Sequence, residues 1–282
     1  MRALIVGCGY LGRRVAAIWR AAGVEVTALT RSHENATALS QQGIDPVVGD
    51  VLLPQTLQTL PAADVGLYAV GYDRQSAASK HDVYVRGVTS VLEEIGPRVA
   101  QLIYISSTSV YGQDAGEWID ETSETHPATE DGRIVLAAED VVREACPGTV
   151  SVLRLSGIYG PGRLLRRVES VRKGEPIAAN PDGFLNLIHV EDAAQIVAHL
   201  ARREGAQSTY LVTDDQPVRR REYYGLLAQL IGAAEPVFDF DGKGSGLNKR
   251  CSNARLKAEL GNLLRFPTSA TGLPHALKTQ QD

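Results

Sequence analysis

Six residues near the start of the chain carry the clearest chemistry: Gly7-Cys8-Gly9-Tyr10-Leu11-Gly12, a G-x-G-x-x-G spacing. The apolar run Ala3-Leu4-Ile5-Val6 precedes them and a helix-like stretch over 13–22 follows. In this setting each glycine has a mechanical reason. Gly7 allows the tight turn out of a strand, Gly9 lets a pyrophosphate approach the backbone, and Gly12 lets the helix pack against the sheet. Free N–H groups at the helix start, with Tyr10 and Leu11 beside them, then favour negative charge. A second strand pattern, Val24-Glu25-Val26-Thr27-Ala28-Leu29, completes the context for a dinucleotide.

Cofactor choice is read at the end of that second strand, where an acidic residue ordinarily accepts the ribose hydroxyls. This chain has Thr30-Arg31-Ser32 instead. A guanidinium between two hydroxyls suits a 2′-phosphate, so NADP is expected ahead of NAD. Arg13 and Arg14 add positive potential. Asp50 and Val51 are expected to flank the adenine, and Ala69, Val70 and Gly71 to pass the cofactor ribose.

Positioning these residues requires alternating elements. Helix patterns run over 33–41, 54–60, 79–95 and 134–145, and strand patterns over 46–48, 64–70, 101–106 and 150–155. Strands separated by helices need crossover connections, hence a parallel, doubly wound α/β sheet of the Rossmann kind. After Ser156 the rhythm breaks. A Gly/Pro-punctuated stretch over 157–183 precedes a strand–helix pair over 185–203, a strand over 210–213, and helices over 220–231 and 253–260. The expected division is a dinucleotide-binding domain of 1–155 plus about 185–213, and a smaller C-terminal α/β substrate lobe of 156–184 and 214–282. The ligand is expected at the carboxyl ends of the strands, between these lobes.

Composition narrows the class. The 282 residues carry a net charge of −4, which argues against nucleic acid as a partner. No apolar run approaches a membrane span, and a core strand from residue 2 leaves no room for a leader, so a cytoplasmic protein is expected. Cys8, Cys146 and Cys251 are isolated, which suggests neither a disulfide framework nor a metal site. Cys8 lies near a helix N-terminus, where a thiol can be activated, but it equally serves as a small residue filling a turn. His189 has no ligand-spaced partner and reads as part of a helix start. The cluster Arg163, Arg166 and Arg167 suits either an anionic substrate or a solvated face.

Four later segments, in order, resemble the extended short-chain dehydrogenase/reductases, the NAD-dependent epimerase/dehydratase superfamily. Ser106-Ser107-Thr108-Ser109-Val110-Tyr111-Gly112 is similar to its SS-x-x-VYG segment, and Arg154-Leu155-Ser156-Gly157-Ile158-Tyr159-Gly160-Pro161-Gly162 to its R-x-x-x-x-YGPG segment. Ile188-His189-Val190-Glu191-Asp192-Ala193-Ala194 resembles IHV-x-D-x-A, and 248–256 resembles the closing K-R-x-S-N-x-R-L. The resemblance covers nearly the whole chain. It implies a nicotinamide cofactor, a small-molecule substrate, and a homodimer through the helices at 79–95 and 134–145.

Departures from the pattern decide what chemistry remains. The first loop is one residue shorter than the family's usual GxxGxxG. Aligning Ala137-Ala138-Glu139 with the family helix puts Asp131 at its tyrosine and Val135 at its lysine. Aligning Val85-Arg86-Gly87 with N-V-x-G puts Tyr84 at its asparagine. Of the four usual catalytic groups only Ser107 remains, as in the atypical YeeZ-like group. The expected function is an NADP(H)-binding oxidoreductase or epimerase/dehydratase-type enzyme, with Ser107 holding the reacting oxygen. Tyr84, Tyr111 or a water would move the proton. A non-catalytic protein that senses NAD(P) is the other reading.

Overall fold

The structure, a computed structural model, describes residues 1–203, 208–240 and 248–278. Residues 204–207, 241–247 and 279–282 of the two expected lobes lie outside the described residues. In chain order the first half runs β1 (Arg2–Val6), α1 (Gly12–Ala21), β2 (Glu25–Thr30), α2 (His33–Gln41), β3 (Asp45–Val48), β4 (Ala63–Tyr68), α3 (Gly87–Ile95), β5 (Val99–Ser107), β6 (Trp118–Ile119), α4 (Glu130–Ala145) and β7 (Thr149–Leu155). The second half runs β8 (Gly157–Tyr159), α5 (Leu165–Arg172), β9 (Phe184–Leu185), β10 (Leu187–His189), α6 (Val190–Leu200), β11 (Ser208–Val212), β12 (Val218–Arg219), α7 (Arg220–Ile231), β13 (Arg250–Cys251), α8 (Ala254–Leu260) and α9 (Ser269–Lys278).

Seven strands form one sheet in the order β11-β7-β5-β4-β1-β2-β3, the parallel α/β arrangement expected from the alternating pattern. The chain winds outward from β1 through β2 to β3, then returns to the other side of β1 with β4. That reversal leaves a crevice beyond the carboxyl ends of β1 and β4, where ligands of such sheets bind. The apolar strand runs pack under helices α3 and α4, around Leu4, Val6, Tyr68, Val88, Leu92, Leu102, Val142 and Val152.

By compactness the chain divides into Met1–Tyr111, Thr125–Arg154 and Ala194–Tyr210 as one unit, and Gly112–Glu124, Leu155–Ala193 and Leu211–Asp282 as another. The short segment 112–124 joins the second unit because β6 pairs with β13, Trp118 beside Arg250 and Ile119 beside Cys251. The second unit has its own core of Tyr159, Leu164, Val168, Leu187, Val218, Tyr223, Leu227, Leu273 and Ala276.

Besides short added strands such as β6, β8, β12 and β13, three helical elements differ from the pattern read off the sequence. The helix expected over 54–60 is a single 3-10 turn, Pro54–Thr56, ended where the Thr56 hydroxyl bonds the carbonyls of Asp50 and Leu53. The helix over 79–95 opens with a π-helical turn, Asp82–Arg86, before α3. Helix α9 lies beyond the last helix expected from the sequence and carries Gly272 and Pro274 inside it.

Candidate dinucleotide and proton-transfer site

The glycine loop has the geometry its spacing implies. Gly7 sits at φ +94, and a Cβ there would lie 2.6 Å from the backbone of Ala69 and Val70. The loop therefore turns hard against the end of β4, tied by the Ala69 N–H to the Val6 carbonyl at 2.8 Å. A Cβ on Gly12 would lie 2.7 Å from the Gly7 oxygen and 3.3 Å from Ile5 Cγ2, so this glycine brings α1 onto the strand. Gly9 differs: a Cβ there meets nothing within 4 Å, and the same is true of Gly71. Two backbone crests thus face open space, with no side chain to keep another molecule from close approach. Leu11 is buried at the helix start, and Tyr10 carries the Arg14 guanidinium 4.3 Å over its ring.

The residues expected to choose the cofactor are gathered at the end of β2. Thr30 closes the strand and accepts the Gly49 N–H. Ser32 caps α2 by accepting the Asn35 N–H at 3.1 Å, and Arg13 Nη2 donates to the Asn35 side chain at 3.1 Å. Arg31 is more than half exposed, with Nη2 3.5 Å from Asp73 Oδ2. Asp50 accepts the Leu52 N–H at 2.9 Å. Val51 is turned into the core against Gly87, where its Cγ2 would lie 2.8 Å from a Cβ. Burial, opposed by Arg13, pushes the Cys8 thiol up to about 11, as suits a turn-filling residue rather than an activated thiol.

The two residues read as catalytic occupy different supports. Ser107 ends β5, and its Oγ accepts the Ser109 N–H at 3.1 Å, capping the turn Thr108–Val110. Helix α4 starts close by, because Gly132 leaves room for the Ser109 carbonyl, which a Cβ would approach to 2.5 Å. Tyr84 lies in the π-helical turn with its ring packed on the core, and its Oη accepts the Tyr72 N–H at 3.3 Å. Tyr72 follows Gly71, so this phenol stands at the same strand end as the open glycine. Among the described residues no hydrogen bond joins Ser107 to Tyr84, and the Tyr84 hydroxyl hydrogen has no protein acceptor.

At the positions aligned with the family pair, Asp131 is exposed and Val135 is buried core. Asp131 Oδ2 lies 2.8 Å from Lys80 Nζ.

Tyr111 is fully buried, and its hydroxyl accepts Arg154 Nη1 at 2.7 Å. Arg154 in turn bonds Glu139, which also accepts the Ser106 hydroxyl at 2.5 Å. Burial works against the charge on Arg154, but the Glu139 carboxylate outweighs it and holds the guanidinium protonated. This buried network was not singled out from the sequence, although a lone arginine inside the apolar run 150–155 was its signal.

In the second unit, His189 Nδ1 accepts the Glu191 N–H at 3.2 Å, as a residue at a helix start does. The Asp192 carboxylate accepts the N–H groups of Arg265 and Phe266, both at 2.9 Å. Arg167 donates to the Tyr223 hydroxyl at 3.4 Å. No group of three or more His, Cys, Asp or Glu among the described residues could hold a metal ion, and no described helix is long and apolar enough to cross a membrane.

Known proteins place this geometry in context. Protein YeeZ of Escherichia coli is 29% identical over 272 residues, 93% of this chain and 95% of that protein. A ketoreductase of Stigmatella aurantiaca acting on a farnesylated dihydroquinoline oxide is 26% identical over 253 residues, 84% of this chain and 75% of that enzyme. A solved structure from Methylobacillus flagellatus, assigned provisionally as an NAD-dependent epimerase/dehydratase, superposes with a TM-score of 0.81 at 31% identity, covering 100% of this chain and 99% of that one. The family model for the NAD dependent epimerase/dehydratase family matches residues 3–212. With its open glycine crests, doubly wound sheet and matched length, the chain belongs to the NAD-dependent epimerase/dehydratase family.

Proposed function

We propose that this protein is an NADP(H)-dependent oxidoreductase that reduces a carbonyl, or oxidises the corresponding alcohol, in a small metabolite. The observation that carries the reading is Tyr84. Its oxygen is fixed by the N–H of Tyr72, the residue after the open backbone of Gly71, and among the described residues its hydroxyl hydrogen has no protein acceptor. A ketoreductase among the relatives is consistent with this chemistry.

Gly7, Gly9 and Gly12 with Tyr10 and Leu11 would hold the pyrophosphate. Thr30, Arg31 and Ser32 would hold the 2′-phosphate, Asp50 and Val51 would flank the adenine, and Ala69, Val70 and Gly71 would pass the ribose. When bound, the nicotinamide supplies or takes a hydride. Tyr84 Oη gives its proton to the substrate oxygen while the Ser107 hydroxyl, whose acceptor side is held by the Ser109 N–H, donates to that same oxygen.

The test is NADPH oxidation against pooled aldehydes, ketones and nucleotide sugars, followed by Tyr84→Phe and Ser107→Ala on any substrate found. A general acid contributes about a hundredfold to ten-thousandfold in rate, so each variant should lose turnover on that scale with NADPH affinity nearly unchanged. Normal turnover in both would refute the assignment. The exposed Asp131 and buried Val135 favour the sensor reading. That reading wins if NADPH binds, no compound is reduced, and binding alters association with a partner.

A further inference from the structure

Lys80, two residues before the π-helical turn, and Tyr84 within it form a side-chain pair that the family pattern does not anticipate. Lys80 and Tyr84 are four residues apart, a spacing that stacks two side chains on one face of a helical turn. Lys80 Nζ lies 5.6 Å from the centre of the Tyr84 ring. The same ammonium is anchored at 2.8 Å by Asp131, the residue aligned with the family's tyrosine. The Lys80 side chain is 23% exposed and that of Asp131 68%, so water screens the carboxylate far more than the ammonium. On its other side the Tyr84 oxygen receives the Tyr72 N–H. A cation and a backbone donor thus converge on one phenol. π-helical turns inside helices frequently mark functional sites.

We propose that Lys80 and Tyr84 form a transposed tyrosine–lysine pair, with the lysine four residues before the tyrosine instead of four after it, and with Lys80 as the positioning residue that stabilises charge on the Tyr84 oxygen. The inference rests on the reading of Tyr84 as proton donor. In the reductive direction the Tyr84 O–H bond breaks and an O–H bond forms on the product alcohol, while the carbonyl carbon takes the hydride and the reduced nicotinamide is oxidised. The phenolate left behind faces the Tyr72 N–H and the Lys80 ammonium, and water returns its proton. A cation 5.6 Å from the ring centre favours negative charge on that phenol, and the Asp131 carboxylate on the same ammonium offsets part of the effect.

The test needs neither cofactor nor substrate. An aryl sulfonyl fluoride labels tyrosine when the phenol oxygen attacks sulfur. An S–O bond forms, the S–F bond breaks, fluoride leaves and the phenol proton goes to buffer. Peptide mapping by mass spectrometry would compare labelling at Tyr84 with labelling at Tyr72, a part-exposed tyrosine in the same region. The Tyr84-to-Tyr72 ratio is expected to fall at least threefold in Lys80→Met and to be kept in Lys80→Arg, with the Tyr84 adduct absent in Tyr84→Phe. An unchanged ratio in Lys80→Met overturns the pair. If Lys80→Met does not fold, the wild type decides: Tyr84 labelling no faster than Tyr72 overturns the pair, and faster labelling supports it. Labelling that depends on Lys80 in a protein that reduces no carbonyl compound upholds the pair and sinks the oxidoreductase reading. Carbonyl reduction with labelling indifferent to Lys80 does the reverse.

Discussion

Glu139 and Arg154 are joined inside the sheet–helix core by Nε to Oε1 at 3.0 Å and Nη2 to Oε2 at 2.7 Å, with side-chain exposures of 0% and 7%. The pair links α4 to β7 and, through Ser106 and Tyr111, to the strand end that carries Ser107. Removing one partner leaves a buried charge uncompensated, which costs about 3–5 kcal/mol. Glu139→Ala should therefore lower Tm by roughly 6–20 °C. Calorimetry showing a shift within a degree or two would contradict this account.

Two glycines of the same loop should respond oppositely to valine. Gly9→Val places its side chain in open space, so the protein should melt normally yet fail to bind NADPH. Gly12→Val drives a side chain into the Gly7 carbonyl and should destabilise the fold itself. Thermal melts and cofactor fluorescence on both variants separate the outcomes. Tight NADPH binding by a folded Gly9→Val protein would show that the loop serves another purpose.

Arg31 should discriminate between cofactors. Among the described residues its partner is a half-exposed Asp73 at 3.5 Å, an interaction worth about 0–1 kcal/mol that a phosphate can displace. A lost charge-assisted phosphate contact costs about 1.5–3 kcal/mol, so Arg31→Ala should weaken NADPH binding roughly tenfold to a hundredfold and leave NADH nearly unchanged. Equal wild-type affinities for the two cofactors would defeat the assignment.

Asp214 should make stability pH-dependent. Burial, opposed by the Gln216 N–H and aided by Asp215 and Asp192, pushes its carboxyl up to about 8, and Oδ2 has no partner among the described residues. An unfolded aspartate titrates near ~3.9. Between about 4 and 8 the native state keeps a proton that the unfolded chain has released, so stability falls as pH rises through that window. The contribution is full below about 4 and lost above about 8. Asp214→Asn, whose amide can keep the Gln216 contact, should flatten the Tm profile between pH 5 and 8. Parallel profiles for the two proteins would rule this out.

Much of the cofactor half was legible in the chain because its signals are local. A turn at φ +94, an open crest and a helix packed on a strand each demand glycine at one position, and the spacing G-x-G-x-x-G records all three. The strand runs and their helices follow from burial on both faces of a parallel sheet. Ser107, Asp131 and Val135 are singled out by the resemblance of short local segments to the family pattern.

What only the tertiary structure decided depends on residues far apart in sequence. Helix α9 forms despite Gly272 and Pro274 because packing overrides propensity: the Tyr159 hydroxyl occupies the space where a side chain at 272 would stand. The pairing of Arg250 with Trp118 carries no local periodicity. Val51 is read from its place after β3 as an adenine contact, and the fold adds that its side chain packs against Gly87. Tyr111 is tied to Arg154, 43 residues on, which donates to its oxygen. Lys80 and Asp131 lie on separate helical segments, and no spacing rule connects them. Periodicity and turn chemistry report the few residues on either side of a position, whereas charge pairing and side-chain space are set by whatever the fold brings alongside.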